Sequence, residues 1–257
     1  MYNYGRYILT CLIYTGDCAT KTFKDILLQT VNSVKYASVD GLSTKLQWKK
    51  KNIPSTTLYA TLYRFVKEKK VFDAGKGWYS TIPTPFTPQY DSVNEIAKQV
   101  EKQFPLLHFS IWSTEQLQSF AHHLMSRFTV FIHTETDAIS SVTNFLQSQK
   151  NAVYPNPKQT EVEKYITTSD HRIIVRPLVT EEPLDGHYAT IEKTLIDLFL
   201  EKDRLFLMDG KEYKRIFENL IFSKRINMGR MFRYAARRNI RTNIIKLLSE
   251  YKSTIIM

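Results

Sequence analysis

Three prolines fall within six residues, at Pro83, Pro85 and Pro88, inside the stretch Thr-Ile-Pro-Thr-Pro-Phe-Thr-Pro over 81–88. Each removes a backbone donor and fixes φ, so this stretch can neither continue a helix nor lie in a central strand. It reads as an extended linker over 83–90. The chain is therefore expected to fold as two units, residues 1–82 and 91–257, with 1–21 an extension that no pattern places. At 257 residues and 43 % hydrophobic content there is apolar material for both cores.

The net charge of +11 is unevenly spread: residues 1–41 carry +1, 42–80 carry +7, 81–201 carry −6 and 202–257 carry +9. Two basic ends around an acidic middle suggest two separate electrostatic tasks, with solvated faces balanced on folding as the plain alternative. The longest apolar run, around 8–14, is broken by Thr10 and far too short to span a bilayer. The two cysteines, Cys11 and Cys18, give neither a disulfide framework nor a CxxC metal spacing. The first twenty residues loosely imitate a secretory signal, but the apolar part is short and interrupted by hydroxyls. An additional strand or helix, or an upstream start, is the more ordinary reading. The cytoplasm is the expected compartment, with no membrane partner.

In the first unit, Phe23, Ile26, Leu27, Leu28 and Val31 have helical spacing, a short helix is expected over 42–50, and Pro54-Ser55 marks a third helix start with Ser55 as cap. Leu58, Leu62, Phe65 and Val66 then form a buried stripe, leaving Thr56, Ala60, Tyr63, Arg64 and Lys67 outside. Two β-prone runs around Ala74-Gly-Lys-Gly77 make a hairpin with a basic tip. Three helices and a hairpin in that order match a winged helix-turn-helix, in which the third helix enters the major groove and the wing grips backbone. The expected double-stranded DNA contacts are Ser55, Thr56, Thr57, Tyr63, Arg64, Lys67, Lys76 and Trp78, with Lys49–Lys51 and Lys69-Lys70 adding phosphate neutralisation. Winged helices also serve as protein-binding modules, and no side chain is evidently aimed at a base edge.

The second unit alternates strands near 106–112, 128–133, 152–157 and 172–177 with helices from 113 and 137, and everything from Ala189 onward reads helical. That is an α/β sheet with a helical C-terminal subregion, so the whole chain is expected to be α+β. Phosphate-loop, GxSxG, HExxH and GxGxxG patterns are missing from the sequence. His122 and His123 point to different helix faces, His171 and His187 flank strand ends without an evident nucleophile, and Glu181, Glu182 and Asp185 read as a solvated acidic loop. No catalytic residue, cofactor or metal is expected.

Residues 224–241 hold seven cations and no acid. On one helix, Arg230, Arg233, Arg237 and Arg241 would share a face, with Arg238 beside it, forming a second basic surface. Nucleic acid, an acidic protein surface, or pairing with the acidic middle of the chain would each satisfy it.

The segment Phe65-Val-Lys-Glu-Lys-Lys-Val-Phe-Asp-Ala-Gly-Lys-Gly-Trp-Tyr79 resembles the winged helix of antitoxins in type IV (AbiE-class abortive infection) toxin–antitoxin systems. Thr190-Ile-Glu-Lys-Thr-Leu-Ile-Asp-Leu-Phe199, Phe109-Ser-Ile-Trp-Ser113 and the Asn227, Arg233-Tyr-Ala, Arg237-Arg238 stretch are similar too, so the likeness spans about 42–245. The resemblance implies an operator-binding first domain that represses its own operon. It also implies a nucleotidyltransferase-like second domain that neutralises a partner nucleotidyltransferase toxin without a stable complex. No glycine here is followed by serine, so the Gly-Ser turn preceding paired carboxylates in such transferases is missing and the chain is not expected to be the toxin. A nucleic-acid-acting enzyme with a divergent core, or a ligand-sensing repressor without a toxin, are the alternatives.

Overall fold

The structure, a computed structural model, describes residues 22–47, 54–122, 128–165 and 171–257. The extension 1–21, Lys49–Lys51 and His123 lie outside the described residues. The first part runs α1 (Phe23–Asn32), β1 (Tyr36–Ser38), α2 (Val39–Gln47), α3 (Ser55–Lys67), β2 (Phe72–Asp73) and β3 (Trp78–Ser80). A capping box opens α1: the Asp25 amide donates to Thr22 Oγ1 at 3.3 Å and the Thr22 amide to the Asp25 carboxylate at 3.0 Å. The α2 helix starts at Val39, within the Ser38–Ser43 stretch that reads as a helix start, and Ser38 Oγ accepts from the Gly41 amide at 2.9 Å. Ser55 is not a cap. Pro54 holds that position, its carbonyl accepting from Thr57 and Leu58, and Ser55 is the first helical residue. Leu27, Val31, Leu42, Leu58, Leu62 and Phe65 form the core of this part, as the periodicity requires.

The hairpin forms as expected, with Gly75 and Gly77 at φ +100° and +76°. Its strands join a four-stranded sheet ordered β2–β3–β1–β10. The last strand, β10 (Ile255–Ile256), lies parallel to β1 with Tyr36 opposite Ile255. Residues expected to end the second unit thus complete the sheet of the first, because Ile255 and Ile256 bury one side chain in each core.

The proline-rich stretch is extended but is no loose linker. Arg225 straps it down: its guanidinium donates to the carbonyls of Ile82 and Pro83 at 2.8 and 2.6 Å, and its amide donates to the Thr84 carbonyl at 2.8 Å. The Tyr36 hydroxyl accepts from the Ile226 amide at 3.0 Å and donates to the Lys224 carbonyl at 3.1 Å. Burial pushes that phenol up to about 12.

Beyond the strap come α4 (Asp91–Gln103), β4 (Phe109–Ser113), a 3-10 segment (Thr114–Phe120), β5 (Phe128–Thr134), α5 (Ile139–Ser148), β6 (Val153–Pro155), α6 (Gln159–Tyr165), β7 (His171–Pro177), β8 (Leu184–Asp185) and β9 (Tyr188–Ala189). The helical end is α7 (Ile191–Arg204), α8 (Gly210–Ser223), α9 (Met228–Arg237) and α10 (Arg241–Ser249). A six-stranded sheet ordered β6–β7–β5–β4–β9–β8 mixes parallel and antiparallel pairs, so the fold is α+β with two mixed sheets. Alternation sends Phe109, Ile111, Ile132, Ile173 and Val175 to the face covered by α4 and α5. Trp112, Phe131 and Ile174 go to the opposite core, shared with Leu195 of α7 and Met231 of α9. Among the described residues, no helix is long and apolar enough to cross a membrane.

Candidate nucleic-acid interface and a buried charge cluster

The outer face of α3 carries the expected side chains. Ser55, Thr56 and Thr57 fill its exposed first turn, where helix N–H donors lack intrahelical partners. Tyr63 is 62 % exposed, Arg64 and Lys67 are exposed beside it, and the Lys67 ammonium lies 5.3 Å from the Tyr63 ring centroid.

Lys76 is exposed at the hairpin tip, but the tip rests on the start of α9. A Cβ on Gly75 would meet Asn227 Oδ1 at 1.9 Å, and one on Gly229 would meet the Lys76 amide nitrogen at 2.9 Å, so glycine is required on both sides of the contact. Trp78 is half-buried and stacks on Phe232, with centroids 5.4 Å apart and planes 23° apart. It buttresses the hairpin against α9.

The arginine stripe expected on one helix is interrupted. The α9 helix ends at Arg237 with Asn239 left-handed at φ +57°; the Ile240 amide bonds the Ala235 carbonyl and the Asn239 amide bonds the Ala236 carbonyl. This is a Schellman ending with asparagine in the glycine position. The cations then divide. Arg230 lies 3.9 Å from Glu192, Arg237 bonds Glu181, and Arg238, only 12 % exposed, lies 3.5 Å from Asp197. All three acids come from the acidic middle of the chain. Arg233 and Arg241 have no acidic partner among the described residues, and with Lys76 they line a groove of about 480 Å³ walled by Tyr59, Trp78 and Phe232. The two basic ends therefore meet rather than serve separate surfaces.

Beneath α9 lies a cluster that sequence reasoning missed. Lys193, fully buried on α7, donates to Asp197 at 2.5 Å and to the Tyr234 hydroxyl at 3.2 Å, and lies 3.2 Å from both Glu182 and His133 Nδ1. Tyr234 donates to Asp197 at 2.9 Å, and Ser110 donates to Glu182 at 2.6 Å. Burial pushes the Asp197 carboxyl up, but the neighbouring charges, Lys193 first, outweigh it and hold Asp197 below the ordinary carboxylate range. Glu182 is likewise held down, its burial overcome by the His133 hydrogen bond and the Lys193 charge. Burial, aided by Lys193, lowers His133, so its imidazole is neutral near pH 7. Glu182, expected in a solvated loop, is 2 % exposed because an ammonium lies behind it. Lys193 and Asp197 were legible as an i, i+4 charge pair inside an apolar helical run; Ser110, His133 and Tyr234 reach them only through the topology. With side-chain exposures of 0–2 % at His133, Glu182, Lys193 and Asp197, these groups are one another's partners, except that His133 Nε2, 3.8 Å from Asp197, has no hydrogen-bond partner.

The remaining histidines are scattered. The His122 amide bonds Glu212; His171 is exposed near Phe128; and His187 stacks on Phe109 with its Nε2 3.6 Å from Glu101. Among the described residues, no three His, Cys, Asp or Glu side chains are arranged to hold a metal.

These features define an α+β protein whose helix–strand–helix–helix–hairpin part is locked to a sheet-and-helix part, with a basic groove where they meet. Residues 57–254 match a family model described as a family of unknown function (DUF6577), and the chain belongs to that family. No curated protein matches the chain.

Proposed function

We propose that the chain is a DNA-binding transcriptional autoregulator in which residues 23–80 act as a winged helix-turn-helix. The observation that carries this reading is the exposed hydroxyl and basic face of α3 together with Lys76 exposed at the hairpin tip, beside a groove that Lys76 lines with Arg233 and Arg241. Hydroxyls at a helix start and fixed cations on either side suit a phosphate backbone. The element order supports the winged-helix reading, and the contact of the hairpin with α9 places its tip beside the groove. Trp78 acts in this reading by holding the wing, not by touching DNA.

The resemblance adds a second role: the sheet-and-helix part, read as nucleotidyltransferase-like, would counteract a cognate nucleotidyltransferase toxin encoded beside it. A growth-rescue assay with the neighbouring gene tests that role; absence of rescue leaves a regulator alone.

The test of DNA binding is a gel shift on the DNA upstream of the protein's own gene, with non-specific competitor at several salt concentrations. A specific shift that weakens with salt is expected. Arg64→Ala with Lys76→Ala should flatten the logarithmic salt dependence by up to about two units, roughly 0.9 for each phosphate no longer neutralised. No shift at low salt, or a slope unchanged in the double variant, overturns the reading.

A further inference from the structure

We propose that the groove between the hairpin tip and α9–α10 binds a free nucleotide, and that its occupancy fixes the hairpin for DNA binding. The proposal goes beyond the regulator reading, since a duplex lying on α3 is too wide to enter a concavity of about 480 Å³. With a major groove of about 12 Å alone, B-DNA can touch only the rim. The volume instead falls in the range of small-molecule pockets, roughly 300–1,000 Å³.

The charge distribution selects the ligand's sign. The α9 helix sends Arg230, Arg237 and Arg238 to acids of the chain, whereas Arg233 of the same helix, Arg241 of the next and Lys76 of the hairpin converge on the groove, with Asp40 as an acid on its wall. Three cations held around one concavity repel until an anion meets them, and concave walls concentrate their field. The groove walls select the ligand's body. Trp78 and the buried Phe232 stack on each other in the wall, and Tyr59, 47 % exposed, lines the same groove. Aromatic faces take any base by stacking. Phosphate and a flat aromatic ring together describe a nucleotide better than either a bare anion or an apolar effector.

The position of the groove supplies the coupling. Lys76 belongs to the hairpin while Arg233 and Arg241 belong to the helical end, so a phosphate held by both would tie the hairpin to α9 at the point where Gly75 and Gly229 already allow close approach. A ligand that binds the docked hairpin better than the undocked one shifts the population toward the docked state.

Isothermal titration of the full chain with ATP, GTP and AMP tests the proposal, with adenosine and inorganic phosphate titrated separately as the two halves. Nucleotide binding is expected, with each half at least about tenfold weaker, and Arg233→Ala or Arg241→Ala should each weaken it about tenfold, as loss of a charge-assisted hydrogen bond does. Arg237→Ala, whose guanidinium is held by Glu181, should change affinity less than about twofold. Should an arginine variant fail to fold, Lys76→Ala at the exposed tip reads the same loss. No nucleotide binding at millimolar concentration, inorganic phosphate binding as tightly as the nucleotides, or unchanged affinity in an Arg233→Ala/Arg241→Ala double variant overturns the proposal. The same preparations are assayed on DNA with and without nucleotide. A DNA shift without nucleotide binding sinks this inference and leaves the regulator standing, while nucleotide binding without any DNA shift does the reverse. A DNA affinity indifferent to bound nucleotide overturns the coupling.

Discussion

Replacing Lys193 by methionine removes one cation from a buried set that is electrically balanced in the native protein. Glu182 and Asp197 contribute two negative charges, Lys193 and Arg238 two positive ones, and His133 is neutral. Methionine nearly preserves the side-chain volume, so the effect is electrostatic rather than a cavity. After the change two buried carboxylates share Arg238 alone, 3.5 Å from Asp197. Removing one partner of a buried ion pair costs about 3–5 kcal/mol, against a whole stability of about 5–15 kcal/mol. A loss of about 4 kcal/mol is expected here, because Lys193 holds both carboxylates at once, at 2.5 and 3.2 Å.

Urea unfolding followed by circular dichroism at several pH values reads both the size and the sign. In the native protein Asp197 and Glu182 have depressed pKa values, so their contribution is present above their unfolded pKa, about 4, and is lost as pH falls through the lower folded values. Without Lys193 burial is opposed less, by Arg238 and His133 at Asp197 and by the His133 and Ser110 hydrogen bonds at Glu182, so both carboxyls rise from their depressed values and the variant is penalised most near pH 7 and relieved as they protonate. His133, freed of the neighbouring ammonium, takes up a proton more readily on acidification and adds to that relief. The stability gap between the two proteins should therefore be widest near neutrality and narrow toward about pH 4. Adding Asp197→Leu to Lys193→Met removes one charge of each sign and should recover part of the loss. A gap below about 1 kcal/mol at pH 7, or one that is constant with pH, refutes the account of the cluster as a balanced set.

Gly75→Ala should destabilise by about 1–3 kcal/mol, since its φ of +100° and the Asn227 oxygen 1.9 Å from the new Cβ both oppose it; Gly77→Ala, with open space, bears the backbone cost alone and should lose less. Hydrogen exchange at the hairpin amides distinguishes the two. Tyr36→Phe should cost about 1–3 kcal/mol in urea unfolding by leaving the Ile226 amide and Lys224 carbonyl without their partner, with faster exchange at Ile226; an unchanged Ile226 amide would show that the strap is held elsewhere.

Legibility in the sequence follows the range of the interactions. The α3 stripe and the hairpin turn are local, so spacing and glycine reveal them. The α4 helix is equally local, with Val93, Ala97 and Val100 at i, i+4 and i+7, but the neighbouring prolines mask its start. Strands of two or three residues such as β1 and β10 are too short for alternation to declare itself, and their pairing joins residues 36 and 255. Periodicity alone places the outer residues of α3. It cannot place the groove, because Lys76 and Arg233 become neighbours only when the hairpin lies on α9.

That docking explains why a basic C-terminal segment coexists with an acidic middle. Arg238, just past the end of α9 and 12 % exposed, could not be buried there uncompensated, and Asp197 supplies its partner, while Glu181 and Glu192 meet the more exposed Arg237 and Arg230. Once the inner and lateral cations are bound, the helix has one fixed orientation, and Arg233 is the arginine of α9 left facing outward toward Lys76. The acidic segment thus does not cancel the basic end. It chooses which of its charges remain available, and the ion pairs that anchor α9 also set the geometry of the surface proposed to meet an anion.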